Sequence, residues 1–388
     1  LGKPRRLSQV EVRRGVDLLR LCAEEILRMR GETIPLDAVE GGERRWGLTR
    51  REPYGVVAAI TPFNAPVNLL LQKVAPALAM GNAVVVKPAP EASVIALQVA
   101  EVLSDAFPAG LVSVLPGGAE TGARLVRHPQ VRAVSLTGGV AAGEAVLRTA
   151  GVKPVFLELG SNSANIVCDD ADLDLAAAGI AQAAFSAGGQ QCISAQRVIV
   201  ERSVFDAFER RFVEAAGRLV VGDPADPATD IGPLVHARRR DHVCRFLEEA
   251  EASGATIVLD GRSDGLLFGP TIVRDLPEGS LLLTEEVFGP VAALIPAGSL
   301  DEAIDVANDC DLGLQASCFT RSLDRAMVAG ERLRAGAVWI NESTRFRLDV
   351  YPFGGYGRSG IGREGVRYAM EALSQVKFVG FRRSPDAT

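Results

Sequence analysis

Cys192 closes Gly188-Gly189-Gln190-Gln191-Cys192, and Glu158-Leu159-Gly160 lies 34 positions before it (192 − 158). A thiol behind a glycine pair, with a carboxylate upstream on a short apolar stretch, is a minimal kit for covalent catalysis through a thioester. The thiolate supplies the nucleophile, and the carboxylate activates the thiol or a later water. The rival reading of any single cysteine is an inert packing residue, so Cys192 gains weight only from its company. Asn64 ends Thr61-Pro62-Phe63-Asn64. A carboxamide held there donates to an oxyanion, a contact worth about 10²–10³ in rate, although the prolines at 62 and 66 suit a turn-forming asparagine equally. Lys87 ends a neighbouring apolar run, where it reaches ribose or phosphate oxygens or is an ordinary surface lysine. Thr137-Gly138-Gly139, with Gly143, joins a strand-like run to a helix-like one. Such a turn brings backbone to a pyrophosphate at a helix N-terminus, or is a plain tight turn, since it is not a GxGxxG fingerprint.

The elements that must position these groups alternate short β-branched runs with helical stretches, the pattern of an α/β protein with parallel strands. Strands are expected over 56–60, 83–87, 112–115 and 131–136, with helices over 66–80 and 91–106 between them. Each strand ends at one of the candidate groups, as in a nucleotide-binding half whose ligand loops follow the carboxyl ends of strands. A second half follows, with helices over 172–187 and 203–217 and an extended run over 197–201. Residues 375–381 alternate as an edge strand, which can pair with another subunit.

Composition narrows the function classes. The chain has 388 residues, 47% of them hydrophobic, enough for two or three domains with large cores. Net charge is −6 with both signs dispersed, which points to no nucleic-acid partner. The longest basic run, Arg238-Arg239-Arg240, reads as a solvated helix face. Six cysteines (22, 168, 192, 244, 310, 318) show no CxxC pair, and three histidines leave little material for a metal site, so no metal is expected. A disulfide scaffold does not suit a chain this long, so a reducing, cytoplasmic compartment is expected. No apolar run reaches membrane-spanning length, and no membrane partner is expected. The chain opens on Leu1-Gly2-Lys3-Pro4, which reads like mid-protein sequence, so a natural start upstream is expected.

Taken in order, the motifs resemble the aldehyde dehydrogenase superfamily. They are Thr61-Pro62-Phe63-Asn64, Lys87-Pro88, Thr137-Gly138 with Gly143, Glu158-Leu159-Gly160, Gly189-Gln190-Gln191-Cys192, Glu286-Val287-Phe288-Gly289-Pro290, and Pro352-Phe353-Gly354-Gly355 through Glu364. They cover nearly the whole chain. The resemblance implies a Rossmann-type cofactor domain, an α/β catalytic domain and a small β oligomerisation element. It implies residues 1–30 and 49–160 for NAD(P) binding, 161–370 for catalysis, and 31–48 with 371–388 for assembly into a homodimer or homotetramer.

The resemblance further implies that Cys192 is the nucleophile, Asn64 an oxyanion donor and Glu158 the general base. NAD or NADP would contact Ile60, Thr61, Pro62, Phe63, Lys87, Gly117, Thr137, Gly138, Leu159, Glu286 and Phe288. Glu286 would hold the nicotinamide ribose. Three positions depart from the family pattern: Ser161 for a second glycine, Gly139 for a serine, and Pro90 where many NAD-preferring members carry glutamate. The partner expected is a small polar aldehyde, as in lactaldehyde, phosphonoacetaldehyde or sulfoacetaldehyde dehydrogenases. Gln191, Arg345 and Arg347 are the candidate substrate residues, an arginine pairing with a phosphonate, sulfonate or carboxylate. Arg347 is equally a structural ion-pair partner for Asp349 or a neighbouring subunit. A coenzyme-A-acylating semialdehyde dehydrogenase, which would not need Glu158, and a catalytically silent scaffold are the alternatives.

Overall fold

Runs such as Val56–Thr61, Ala83–Pro88 and Val131–Thr137 are apolar on both faces, as strands covered by helices on each side must be. In the computed structural model, which describes residues 1–263 and 265–384, they are neighbours in one six-stranded sheet. Its order is Gly360–Ile361, Val155–Glu158, Val131–Thr137, Val56–Thr61, Ala83–Pro88, Val112–Val114. All pairings are parallel except that of Gly360–Ile361. Helix Asn68–Ala79 buries Leu70, Val74 and Ala77 against this sheet and against Leu18 and Cys22 of helix Arg5–Glu25. Each leucine or valine so buried contributes about 1.5–3 kcal/mol.

A seven-stranded sheet carries the second half, in the order Thr256–Leu259, Thr271–Arg274, Val291–Ala297, Ala195–Glu201, Ser163–Val167, Gln315–Phe319, Ala337–Ile340. It is parallel apart from its first pairing. Helices Leu173–Phe185 and Phe205–Gly217 cover it through Phe185, Phe208 and Phe212, whose rings stack in series at 5.9 and 5.6 Å. Thr33–Ile34, Arg45–Pro53 and Ser374–Arg382 form a separate antiparallel sheet, on which Trp46 stacks against Phe381 at 4.6 Å.

The α/β class and every expected element are present, with shifted ends. The helix expected over 91–106 opens with a 3₁₀ turn at Pro90–Ala92 and runs over Ser93–Ser104. Two expected boundaries do not match the packing. The one at 370 falls inside helix Val366–Ala372, whose Val366 and Met370 join the core of the first sheet, and the Gly360–Ile361 strand pairs into that sheet. The one at 48 cuts the continuous strand Arg45–Pro53. A boundary read along the chain misses segments that return to an earlier sheet. Residues 385–388 of the expected assembly element lie outside the described residues.

Candidate functional site

Parallel pairing aligns the carboxyl ends of four strands, so the groups that end them share one edge. Ile60 pairs with Lys87 and Leu136, and Thr137 pairs with Glu158. Pro62 and Phe63 follow on the loop after Thr61, and Gly117, at φ 153°, follows Val112–Val114. Gly138 and Gly139 precede helix Val140–Ala150, which has no side-chain cap. A Cβ on Gly139 would meet nothing within 4 Å, so this helix end is open to a ligand. Lys87 is only 7% exposed, yet its ammonium makes no ion pair or hydrogen bond among the described residues, and burial pulls its pKa down. The Thr137 hydroxyl is likewise buried without a partner.

The cysteine loop is built by left-handed backbone. Ala187, Gly188 and Gly189 have φ of 55°, 65° and 64°. At Gly189 the reason for glycine is also a close approach: a Cβ would lie 2.0 Å from the Gly289 carbonyl oxygen. Two motifs nearly a hundred residues apart are thus pressed backbone to backbone. The turn delivers Cys192, partly exposed, into a cavity of about 450 Å³. Asn64, Gln191, Arg345 and Arg347 line it, and Lys3, Leu7, Val10, Glu11 and Arg14 close one wall. Desolvation pushes the Cys192 thiol up to about 12, with the Arg347 charge the strongest opposing influence. Asn64 donates from Nδ2 to the Gln190 carbonyl at 2.9 Å, while its Oδ1 is buried and unpartnered. Gln191 donates to the Ser186 carbonyl at 3.1 Å.

The two candidate arginines differ sharply. Arg347 donates to Glu364 at 2.6 Å and lies 3.6 Å over the Phe353 ring. Within the chain its acidic partner is thus Glu364 and not Asp349, which takes Arg14 and Gln72. Arg345 has no acidic partner and no hydrogen bond among the described residues, and its Nε is buried. Burial, with the charge of Arg6 nearby, lowers its pKa.

Glu158 does not line the cysteine cavity. It is 4% exposed and faces a small space shared with Glu364, Ser135 and Gln72. Burial, then the charge of Glu364, raises its pKa well above the usual carboxylate range. Beside it Lys73 donates to both Ser135 and Glu364 at 3.0 Å. Sequence reading gave Lys73 and Glu364 no role. The signal for Lys73 was one charge inside Leu69-Leu70-Leu71-Gln72-Lys73-Val74-Ala75, a stretch otherwise fit for complete burial. The cavity wall from helix Arg5–Glu25 had no comparable signal.

Glu286 accepts from the Ser161 N–H at 2.9 Å. It packs so closely on Gly160 that a Cβ there would lie 2.5 Å from its Oε2. Burial raises its carboxyl to about 7 against the pull of that N–H and of Arg239. Ser161 fits its glycine-like position because its hydroxyl turns inward to Ser163 at 2.9 Å. Phe288 meets Phe63 edge to face at 6.0 Å, and Leu159 is buried with its N–H on the Ser359 carbonyl. Among the described residues, no cluster of histidine, cysteine or carboxylate could hold a metal, and no helix is long and apolar enough to cross a membrane.

A family model described as the aldehyde dehydrogenase family matches residues 1–379. The chain belongs to the aldehyde dehydrogenase family. A 3-sulfolactaldehyde dehydrogenase from Priestia megaterium is 42% identical over 381 residues, 98% of this chain and 80% of that protein. A lactaldehyde dehydrogenase from Methanocaldococcus jannaschii is 38% identical over 384 residues, 97% and 81% respectively. The solved NADP-dependent glyceraldehyde-3-phosphate dehydrogenase from Bacillus halodurans, complexed with NADP, superposes with a TM-score of 0.95. It is 39% identical and covers 98% of this chain and 80% of its own. The chain is an NAD(P)-dependent oxidoreductase that acts on aldehydes.

Proposed function

We propose that this aldehyde dehydrogenase oxidises a short aldehyde bearing an anionic group to the carboxylic acid, through a Cys192 thioester. The observation that carries the anionic substrate is Arg345, a largely buried guanidinium without an acidic partner, facing the same cavity as Cys192. Burying a cation alone is costly, and a sulfonate, phosphate or carboxylate on the substrate supplies the missing charge. Two of the similar proteins above are named for sulfonated or phosphorylated aldehydes, and the third for a neutral one.

Cys192 gives its proton to solvent in the cavity and its thiolate sulfur adds to the aldehyde carbon. The second N–H of Asn64 and the Cys192 backbone N–H, which has no protein partner among the described residues, donate to the resulting oxyanion. The site fits a nicotinamide dinucleotide. The open start of helix Val140–Ala150, the orphaned Thr137 hydroxyl and the unpartnered Lys87 would receive its phosphates and adenosine ribose, and Glu286 with Phe288 its nicotinamide ribose. When bound, the oxidised nicotinamide accepts the hydride. Glu158, swung toward the cavity, then takes a proton from water as the water attacks the thioester, releasing the acid and the Cys192 thiolate, and Glu158 returns its proton to solvent. Glu158 also favours hydrolysis over transfer to coenzyme A.

The experiment is kinetic, with wild type, Arg345→Ala and Arg345→Lys assayed on anionic short aldehydes and a neutral hydroxyaldehyde. Loss of a charge-assisted contact worth about 1.5–3 kcal/mol lowers kcat/KM on the anionic substrates about 10–100-fold in Arg345→Ala. Lysine restores part of it, and the neutral substrate is unaffected. Equal loss on both classes, or none, would sink the anionic reading.

A further inference from the structure

Helix Ala237–Ala252 begins in a way that electrostatics disfavours. Its first turn holds Arg238, Arg239 and Arg240 and no acid, although the positive end of a helix dipole favours anions there by about 0.3–1 kcal/mol each. Arg238 is exposed, and Arg240 pairs with Asp241 at 2.7 Å. Arg239 instead turns inward. Its guanidinium stands 5.3 Å over the Phe288 ring, and its Nε is buried with no hydrogen bond. No carboxylate reaches it for an ion pair among the described residues. Glu286 is the acid it senses, and that carboxylate is engaged by the Ser161 N–H. The triplet that reads as a solvated face thus contains one cation held under Phe288 with nothing of its own to bind.

A nicotinamide dinucleotide brings its negative charge on its phosphates alone. We infer that Arg239 grips the pyrophosphate of NAD(P) at the phosphate on the nicotinamide side, next to the ribose assigned to Glu286 and Phe288. The clamp rests on that assignment. It gives the cofactor an ionic contact of a kind that the uncapped helix start at Gly139 does not offer. A planar guanidinium suits paired phosphate oxygens better than an ammonium does.

The test is equilibrium binding to the whole protein without substrate. NADPH and NADH are titrated by fluorescence, and ADP-ribose, which keeps both phosphates but lacks nicotinamide, by calorimetry. In Arg239→Gln all three bind about 10–100-fold more weakly, while the melting temperature of the cofactor-free protein is unchanged or higher. Arg239→Lys recovers part of the affinity. ADP-ribose binding as wild type, whatever happens to NADPH, would overturn the clamp, because the arginine would then serve the nicotinamide end or Glu286. A Glu286→Gln control separates the two assignments. If it leaves NADPH affinity intact, the ribose contact fails, whereas the ADP-ribose result still decides the phosphate contact.

Discussion

Glu286 shows how one buried carboxylate can set a pH dependence. Burial lifts its pKa to about 7, so near neutrality its charge is half formed, and in the proposed ribose contact the ionised carboxylate accepts the hydroxyls more strongly than the acid does. Cofactor affinity should rise with pH up to about 7 and level off above it. Below that point it should fall by up to about tenfold per unit for a one-proton linkage. Dissociation constants for NADPH measured between pH 5.5 and 8.5 check this, and Glu286→Gln should flatten the curve. A wild-type curve with no slope in that range would refute it. Cys192 and Glu158 stand out in sequence only through the collinear motifs around them, because a lone cysteine or acid has ordinary structural uses. Arg345 and Arg347 were not separable there. Only folding shows that Arg347 meets Glu364, while Arg345 has no acidic partner among the described residues.

At the scale of elements, three segments converge on Glu364: helix Asn68–Ala79 through Lys73, the 342–351 loop through Arg347, and the chain after Gly360. Burial alone would raise the Glu364 carboxyl, but the Lys73 ammonium and Arg347 guanidinium outweigh it and hold it at about 2. Since the folded value is depressed, the stabilisation is complete above the ordinary carboxylate range and drains away as pH falls toward 2. Arg347→Ala leaves a buried carboxylate half-compensated and should cost about 3–5 kcal/mol. Denaturation at neutral pH should show that loss, and acid unfolding should begin at higher pH, whereas Arg345→Ala should show neither. Equal melting temperatures for the two variants would remove the structural role assigned to Arg347. The strands were readable because parallel sheets demand uninterrupted β-branched runs. The return of residues 360–373 to the first sheet was not, since two short strand residues and a seven-residue helix carry little periodic signal.

For the whole molecule, the three-stranded sheet stands apart from both cores and is open to solvent. Trp46, Val376, Phe378 and Phe381 are all more than 40% exposed on it. Apolar strands left open invite pairing, and we propose that this sheet joins subunits into a homodimer or homotetramer. Val376→Lys with Phe378→Lys should shift the mass in light scattering toward one chain while leaving the Cys192 cavity intact. An unchanged mass would place the interface elsewhere.

The wall that helix Arg5–Glu25 lends to the cavity has an evolutionary consequence. The proposed reacting groups lie at strand ends and on a loop pressed against the Gly289 backbone, where few replacements fit. Leu7 and Val10 lie on a helix whose opposite face is free. Selection can therefore retune which aldehyde enters by drift along one helix, while the machinery that oxidises it stays untouched. A library restricted to those positions is the natural place to look for new substrates.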